Sequence, residues 1–441
     1  MTQRDVGLHV PTLTRVEGEG AMHVVVHEGE VTDVRLEIYE PPRMFEAFLR
    51  GRSYDEPIDI TARVCGICPV AYQMSATNAM EQLAGTRVDG ALRDLRRLLY
   101  CGEWIESHVL HIAFLHAPDF LGVESGIAIA RRHPELMTEV LHLKKTGNRI
   151  MEVVGGRPIH PVNVRLGGFY RTPSRSELDD LLPDLDRAHA AAVGLVRWTA
   201  GFEFPEIPDR LGEHTEFVSL RHPDEYPLTD GRVVSNRGLD LDIAGFAERI
   251  HELHVEHSTA LHAVLDADRR YQVGPLARWT NNHDRLTDSV RDLAAEVGVG
   301  AVETNPFRSI LVRGLETVWA IEESRRLIGG YRPPPAPFVE VPPVAGTGHG
   351  ATEAPRGLLY HRYEVDDSGI VLDAVIVPPT SQNQIAIEAD LRDFVQSHLD
   401  LDDRELGRRC EQIIRNYDPC ISCATHFLQF DIDRGGAAGV R

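Results

Sequence analysis

Two cysteine pairs of identical spacing stand near opposite ends of this 441-residue chain: Cys65-Gly-Ile-Cys68 and Cys420-Ile-Ser-Cys423. Thiolates are soft ligands. Four of them gathered from such distant points could hold a soft, redox-active metal. A structural zinc site uses the same donors, but zinc ribbons place their pairs within about 15–20 residues. Here about 350 residues intervene. Two independent redox C-x-x-C motifs are a third reading, although those belong in βαβ surroundings that this sequence does not predict. Spacing alone leaves all three open. The flanks are more distinctive: Arg63-Val-Cys-Gly-Ile-Cys-Pro-Val-Ala-Tyr72 around the first pair, and Asp418-Pro-Cys-Ile-Ser-Cys-Ala-Thr-His426 around the second.

The elements that must position these residues are mostly helical. The first sixty residues are β-rich, with a hairpin expected over 22–27 and 31–39 around Glu28-Gly-Glu. Helices are expected over 72–83, stopping at Gly85, and over 88–116, ending at Pro118. Others fit 134–154, 176–199, 243–267, 284–297 and 315–327. The segment 332–357 is rich in proline and glycine, which marks a linker or a constrained functional loop. A second hairpin is expected over 358–365 and 369–377, then helices over 382–397 and 402–416. The fold class is therefore mainly α with small β-hairpin regions, an α+β arrangement. If the pairs converge, everything between them is one folded unit.

Bulk properties narrow the function. Hydrophobic residues make up 42%, enough for a substantial core, and the formal net charge is −21. Such acidity argues against nucleic acid or an anionic membrane surface as partner. No run approaches the about 20 apolar residues of a membrane span. The N-terminus shows no apolar signal-peptide region, which favours a cytoplasmic location. The six cysteines are too few for a disulfide framework in this length. Cys101 and Cys410 fall in predicted buried helices and are expected to be structural.

The flanks carry a resemblance. Arg63-x-Cys-Gly-x-Cys and Asp418-Pro-Cys-x-x-Cys-x-x-His426 resemble motifs of the large subunit of nickel–iron hydrogenases. So do Thr14-Arg-Val-Glu-Gly18, the Gly155-Gly-Arg-x-x-His160-Pro stretch reaching Gly167-Gly168, and Glu353-Ala-Pro-Arg-Gly357 with Val377-Pro-Pro-Thr380. Five ordered motifs span almost the whole chain. The resemblance implies a large-subunit-like helical bundle with an N-terminal β region. It implies nickel held by four thiolates, two of them bridging to an iron that carries cyanide and carbon monoxide. Cys65 and Cys420 would be terminal on nickel, and Cys68 and Cys423 would bridge. Arg356, next to the rigid Pro355, would stand over the metals. Glu17 would take a proton from Cys420. Asp119 and Asp418 would be acidic members of the surrounding shell. Glu46, His426 and the Val375 carbonyl would hold a second metal, magnesium or iron.

Two departures from the commoner pattern matter. Tyr72 stands where many members have histidine, which resembles the cytoplasmic, pyridine-nucleotide-linked branch. Pro379-Thr380 stands where others have two hydroxyl residues, so Thr380 is the expected donor to the cyanides. The implied activity is reversible H2 oxidation. No cysteines remain for an iron–sulfur cluster, and no nucleotide loop is present. Electrons would therefore pass to a small iron–sulfur subunit, then to NAD(P) through flavin-binding and further iron–sulfur subunits. A maturation endopeptidase would remove residues 427–441 by cutting after His426, once nickel-loading chaperones have acted. The folded domain would then be 1–426. Rival readings are a regulatory H2 sensor, a deazaflavin-linked hydrogenase, a subunit of respiratory complex I type, and a zinc-stabilised structural protein. His108, His111 and His116 share a helix and are read as packing residues. Gly346-Thr-Gly-His-Gly-Ala351 follows prolines rather than a strand of a βαβ unit, so it is not a dinucleotide loop.

Overall fold

The computed structural model describes residues 5–207 and 215–425. The strands Val6–Val10, Gly20–His27 and Glu30–Ile38 form an antiparallel sheet in that order. The last two are the predicted hairpin. Alternation along them turns Met22, Val24, Val26 and Leu36 inward. These pack on Ile387, Leu391 and Phe394 of helix Pro379–Ser397 and on Ile413 and Ile414 of helix Asp403–Asn416. The first and last parts of the chain thus share one core, and the fold is the mixed helical and small-sheet arrangement expected.

Helices Gly90–Leu110, Pro134–Gly155, Leu182–Ala200 and Ser309–Gly330 pack side by side in the middle. The first runs on through a wider π-helical turn, His111–His116, into Ala117–Phe120. That turn aims two histidines at the end of the last long helix. His111 Nε2 lies 2.7 Å from the Arg415 carbonyl, and His116 Nε2 2.8 Å from Asn416 Oδ1. Both histidines are packing residues, as expected.

A second antiparallel sheet comprises Gly346–Ala354, Gly357–Val365 and Val371–Val377. Helix Pro69–Leu83 lies on it so closely that a side chain at Gly350 would collide with the Ser75 carbonyl and Ala79. The glycine-rich stretch is therefore a strand under a helix. The segment 332–357 is a constrained one, not a linker, and its second half is regular. Its first half is pinned to the Gly167-Gly168 motif: Val339 N donates to Gly167 O at 3.0 Å, Phe169 N to Pro337 O at 2.9 Å.

One predicted helix is absent. Residues 243–267 form a 3-10 turn, the single turn Phe246–Arg249, and a hairpin of Ile250–Leu253 with His262–Leu265. Ile250, Ala263 and Leu265 bury against Tyr271, Leu358 and Tyr360, so sheet packing overrides the helical spacing. The helix expected over 176–199 is two, Arg175–Asp179 and Leu182–Ala200, the second opening on Pro183. Among the described residues no helix is long and apolar enough to cross a membrane.

Buried charge locks the layers. Arg278 is fully buried on helix Pro275–Asn282. It donates to both oxygens of Glu316 at 2.9 and 2.8 Å, to Glu353 Oε2 at 3.1 Å, and to the carbonyls of Ala354 and Pro355 at 2.7 and 2.9 Å. Its guanidinium lies 4.4 Å from the Trp104 ring centroid. Burial pushes the Glu353 carboxyl up to about 7 against the pull of Arg278. A second lock joins three distant segments. Asp119 accepts from Arg15 Nη2 at 2.6 Å and from Arg415 Nε and Nη2 at 2.7 and 2.8 Å. Burial alone would raise this carboxyl, but the two arginines hold it below the usual aspartate value.

Replacing Arg278 with methionine strands two buried carboxylates and should cost about 3–5 kcal/mol, read as a lower urea midpoint. Asp119→Asn should destabilise in a pH-dependent way. A depressed carboxyl contributes its stability above the unfolded pKa of about 4 and loses it as pH falls through the folded value. The gap between parent and variant should be constant above about pH 5 and close on acidification; a gap that widens in acid contradicts the ion-pair assignment.

Candidate metal centre

The four cysteines meet. Cys65 and Cys68 lie between helices Pro57–Thr61 and Pro69–Leu83. Pro69 suits the first helical position, where no N–H is needed. The next two N–H groups, of Val70 and Ala71, donate to the buried Glu103 carboxylate at 2.6 and 3.1 Å. Cys420 and Cys423 belong to the turn and short helix Ile421–Ala424 that follow helix Asp403–Asn416. The N-terminal segment runs alongside: Ile421 N donates to Glu17 O at 2.9 Å. A Cβ at Gly18 would lie 2.6 Å from that of Ile421, so only glycine permits this approach.

All four Sγ atoms lie within 4.8 Å of one another and all four residues are buried. Cys65 Sγ is 3.4 Å from Cys420 Sγ, Cys68 Sγ 3.5 Å from Cys423 Sγ, and Cys420 Sγ 2.8 Å from Cys423 Sγ. Thiol hydrogen bonds, first from Cys420, hold Cys65 well below the ordinary cysteine pKa, while burial pushes Cys420 and Cys423 up. Burial thus opposes charge on most of the cluster. A bound cation reverses this balance by drawing all four sulfurs into the thiolate form. The donor set fits a soft metal centre, and one further detail agrees: Arg356 Nη1 is buried with no hydrogen-bond partner.

The predicted residues gather around the sulfurs. Glu17 Oε2 lies 3.0 Å from Cys420 Sγ and accepts from Ser422 N at 3.1 Å. Arg356 is buried; its Nε donates to Asp418 O at 2.7 Å and its Nη2 to Asp418 Oδ1 at 3.0 Å. Thr380 Oγ1 accepts from Cys420 N at 2.9 Å, which leaves its own proton free to donate. Pro355 is held by Arg278 through its carbonyl. Tyr72 is buried beside the cluster, and burial together with the charges of Cys423 and Cys68 pushes its phenol well up. Asp119 hydrogen-bonds to arginines and not to the thiols; Arg63, conspicuous in the motif, is exposed.

A second group assembles nearby. Glu46 Oε1 accepts from Ile376 N at 2.7 Å, one residue from Val375 on strand Val371–Val377. Arg43 N donates to Thr425 O at 2.6 Å, bringing the chain just before His426 to the same edge. His426 itself, with the tail 427–441, lies outside the described residues.

Sequence reasoning missed the residues that hold this arrangement. Glu103 caps the helix after Cys68, and Arg278 fixes the backbone on either side of Pro355. Arg313 donates to Asn416 O at 3.0 Å, just before Asp418. A signal existed: Glu103, Arg313 and Glu316 are charges inside otherwise apolar helical stretches, and such charges need buried partners.

Comparison with known proteins accords with this geometry. The sequence matches the nickel-dependent hydrogenase family over residues 43–154 and 266–426. It is 32% identical to the alpha subunit of sulfhydrogenase 1 from Pyrococcus furiosus over 419 residues, covering 95% of this chain and 97% of that one. It is 30% identical to an F420-non-reducing hydrogenase subunit from Methanothermobacter marburgensis, covering 96% and 95%. Among solved structures, an NAD+-reducing [NiFe]-hydrogenase in its H2-reduced state superposes with a TM-score of 0.86 at 28% identity, covering 97% of this chain and all of that one. With four buried thiols positioned to bind metal, the chain belongs to the nickel-dependent hydrogenase family as a large, catalytic subunit.

Proposed function

We propose that this subunit carries out reversible H2 oxidation at a nickel–iron centre with cyanide and carbon monoxide on the iron, which the thiolates of Cys65, Cys68, Cys420 and Cys423 would hold, Cys65 and Cys420 as nickel ligands and Cys68 and Cys423 as ligands to both metals. The observation that carries the reading is a buried cluster of four thiols with a carboxylate 3.0 Å from one sulfur. When bound, the centre supplies the Lewis acidity and electron storage for heterolytic H2 cleavage. The protein's share is proton handling and charge. Cys420 Sγ passes a proton to Glu17, whose carboxylate the Ser422 N–H orients. Arg356, paired with Asp418, holds positive charge in a dry site. Its unpartnered Nη1 and the Thr380 hydroxyl would be the donors to the cyanides.

The second metal, magnesium or iron, falls to Glu46, the Val375 carbonyl and His426. The domain proper is 1–426, with the tail 427–441 cut after His426. Electron exit needs a partner. Cys101 and Cys410 are not among the four clustered thiols, and burial pushes both up to about 12; electrons pass to a small iron–sulfur subunit. A face for it adjoins the first cysteine pair. Gly66, inside the first pair, is exposed, and its apolar neighbour Ile159 is 55% exposed. Onward transfer to NAD(P) through flavin-binding and iron–sulfur subunits is supported by the NAD+-reducing structural neighbour and by Tyr72. A cytoplasmic location accords with such partners.

Infrared spectra of the matured complex should show metal-bound cyanide and carbonyl stretches, with nickel in the same sample; their absence refutes the assignment. Glu17→Gln should keep those bands but slow H2 oxidation by about 10²–10⁴-fold. H2-dependent reduction of deazaflavin without NAD(P) reduction would exclude the nicotinamide link. Intact mass of the nickel-loaded protein should correspond to a chain ending at His426, and a retained tail would overturn the cleavage.

A further inference from the structure

The loop between strands Ile250–Leu253 and His262–Leu265 brings two histidines to one carboxylate. His257 Nε2 lies 2.9 Å from Glu388 Oε1, on helix Pro379–Ser397. One ring nitrogen of each of His257 and His262 and a Glu388 oxygen all lie within 4.8 Å of one another. The two rings meet edge to face, 5.5 Å between centroids. Three separate elements therefore converge on one point.

Two features distinguish this cluster from an ordinary polar contact. His262 is 3% exposed and its Nε2 makes no geometric hydrogen bond, with the Gln384 side chain as the polar neighbour of the ring. A buried ring nitrogen left unsatisfied is unfavourable and calls for an explanation. Second, among the described residues no lysine or arginine pairs with Glu388; its ion pair is with His257 alone. Leu36 N donates to Glu388 Oε1 at 2.9 Å and fixes the carboxylate in place. A superficially similar group, His222, Glu225 and Asp230, lacks this second feature. Arg93 contacts both of its carboxylates and fills the place of a cation.

We propose that His257, His262 and Glu388 bind a divalent cation of the zinc class. Two imidazoles and a carboxylate are a suitable donor set, and a partly open rim leaves positions for water. A cation bound at His257 Nε2 replaces the hydrogen bond to Glu388 Oε1, and the neutral ring carries its proton on Nδ1. Burial keeps the His262 ring neutral, with its pKa pushed down to about 4. The cation's role is mechanical. Thr259, in the same loop, donates from N to Ile38 O at 2.7 Å and from Oγ1 to Glu40 O at 2.8 Å. Ala260 packs on Ile38, Ile421 and Ala424. Ser422 Oγ donates to Glu40 Oε1 at 2.9 Å. Clamping the loop to Glu388 braces the turn that carries Cys420 and Cys423.

The test uses the matured complex, so that the cysteines are already occupied. Zn2+ is titrated calorimetrically into wild type, His257→Ala, Glu388→Gln and a neighbouring control, His254→Ala. Both altered residues are partly exposed, and circular dichroism checks that each variant is folded. Wild type and control should bind one more Zn2+ than either ligand variant, whose binding should weaken at this site by about 100-fold. Co2+ in the same site should give visible d–d bands without a sulfur-to-metal charge-transfer band. Equal zinc binding in all four proteins, no binding in wild type, or a sulfur band on cobalt would each overturn the proposal.

Discussion

A guanidinium with no solvent exposure holds this protein's layers in register. Arg278 satisfies Glu316 on the central helix and Glu353 on the second sheet, and directs its remaining donors to the carbonyls of Ala354 and Pro355. Those carbonyls immediately precede Arg356. A buried charge of this kind adds little net stability, since apolar packing of equal volume does as well or better. It is effective at specifying geometry, because any displacement leaves charges unpaired. Here the geometry specified is the height of Arg356 relative to Asp418 and the four sulfurs.

The backbone is held by the same means. Arg15, Met44 and Asp418 all adopt left-handed φ, at 59°, 55° and 53°. Each stands two residues before a residue of the site: Glu17, Glu46 and Cys420. A non-glycine residue there costs of order 1 kcal/mol, and persists only where surrounding contacts over-determine it. The contacts are visible. Arg15 and Asp119 clamp one turn, Arg356 and Asp418 another, and Arg43 anchors the third to the Thr425 carbonyl. Tight reversals of the chain thus orient Glu17, Glu46 and Cys420 from three otherwise unrelated segments.

Much of this was legible in the sequence, for reasons that differ by residue. The cysteine pairs, Glu17, Arg356, Thr380 and Asp418 sit in short motifs whose local composition is unusual, and they converge. The N-terminal hairpin and the long helices follow from apolar periodicity. The helix expected over 243–267 failed because its apolar spacing suited either period, and pairing with a neighbouring strand decided. The strand Gly346–Ala354 hid behind its glycines, which are there because a helix backbone lies against them. The charge of Glu103 signalled a buried partner but not which one, and Arg278 stayed hidden, because their partners are remote in sequence. Only the folded chain shows which group a charge in an apolar helix is paired with.

The four sulfurs come from positions 65, 68, 420 and 423, and the segment that carries Glu17 is held by its contact with residue 421. During synthesis the first pair leaves the ribosome long before its counterpart is translated. No nascent intermediate can present a four-sulfur pocket. The four-sulfur group is therefore complete only once residue 423 has been made. The pocket's geometry acts as a check that everything between the two cysteine pairs has been made and folded.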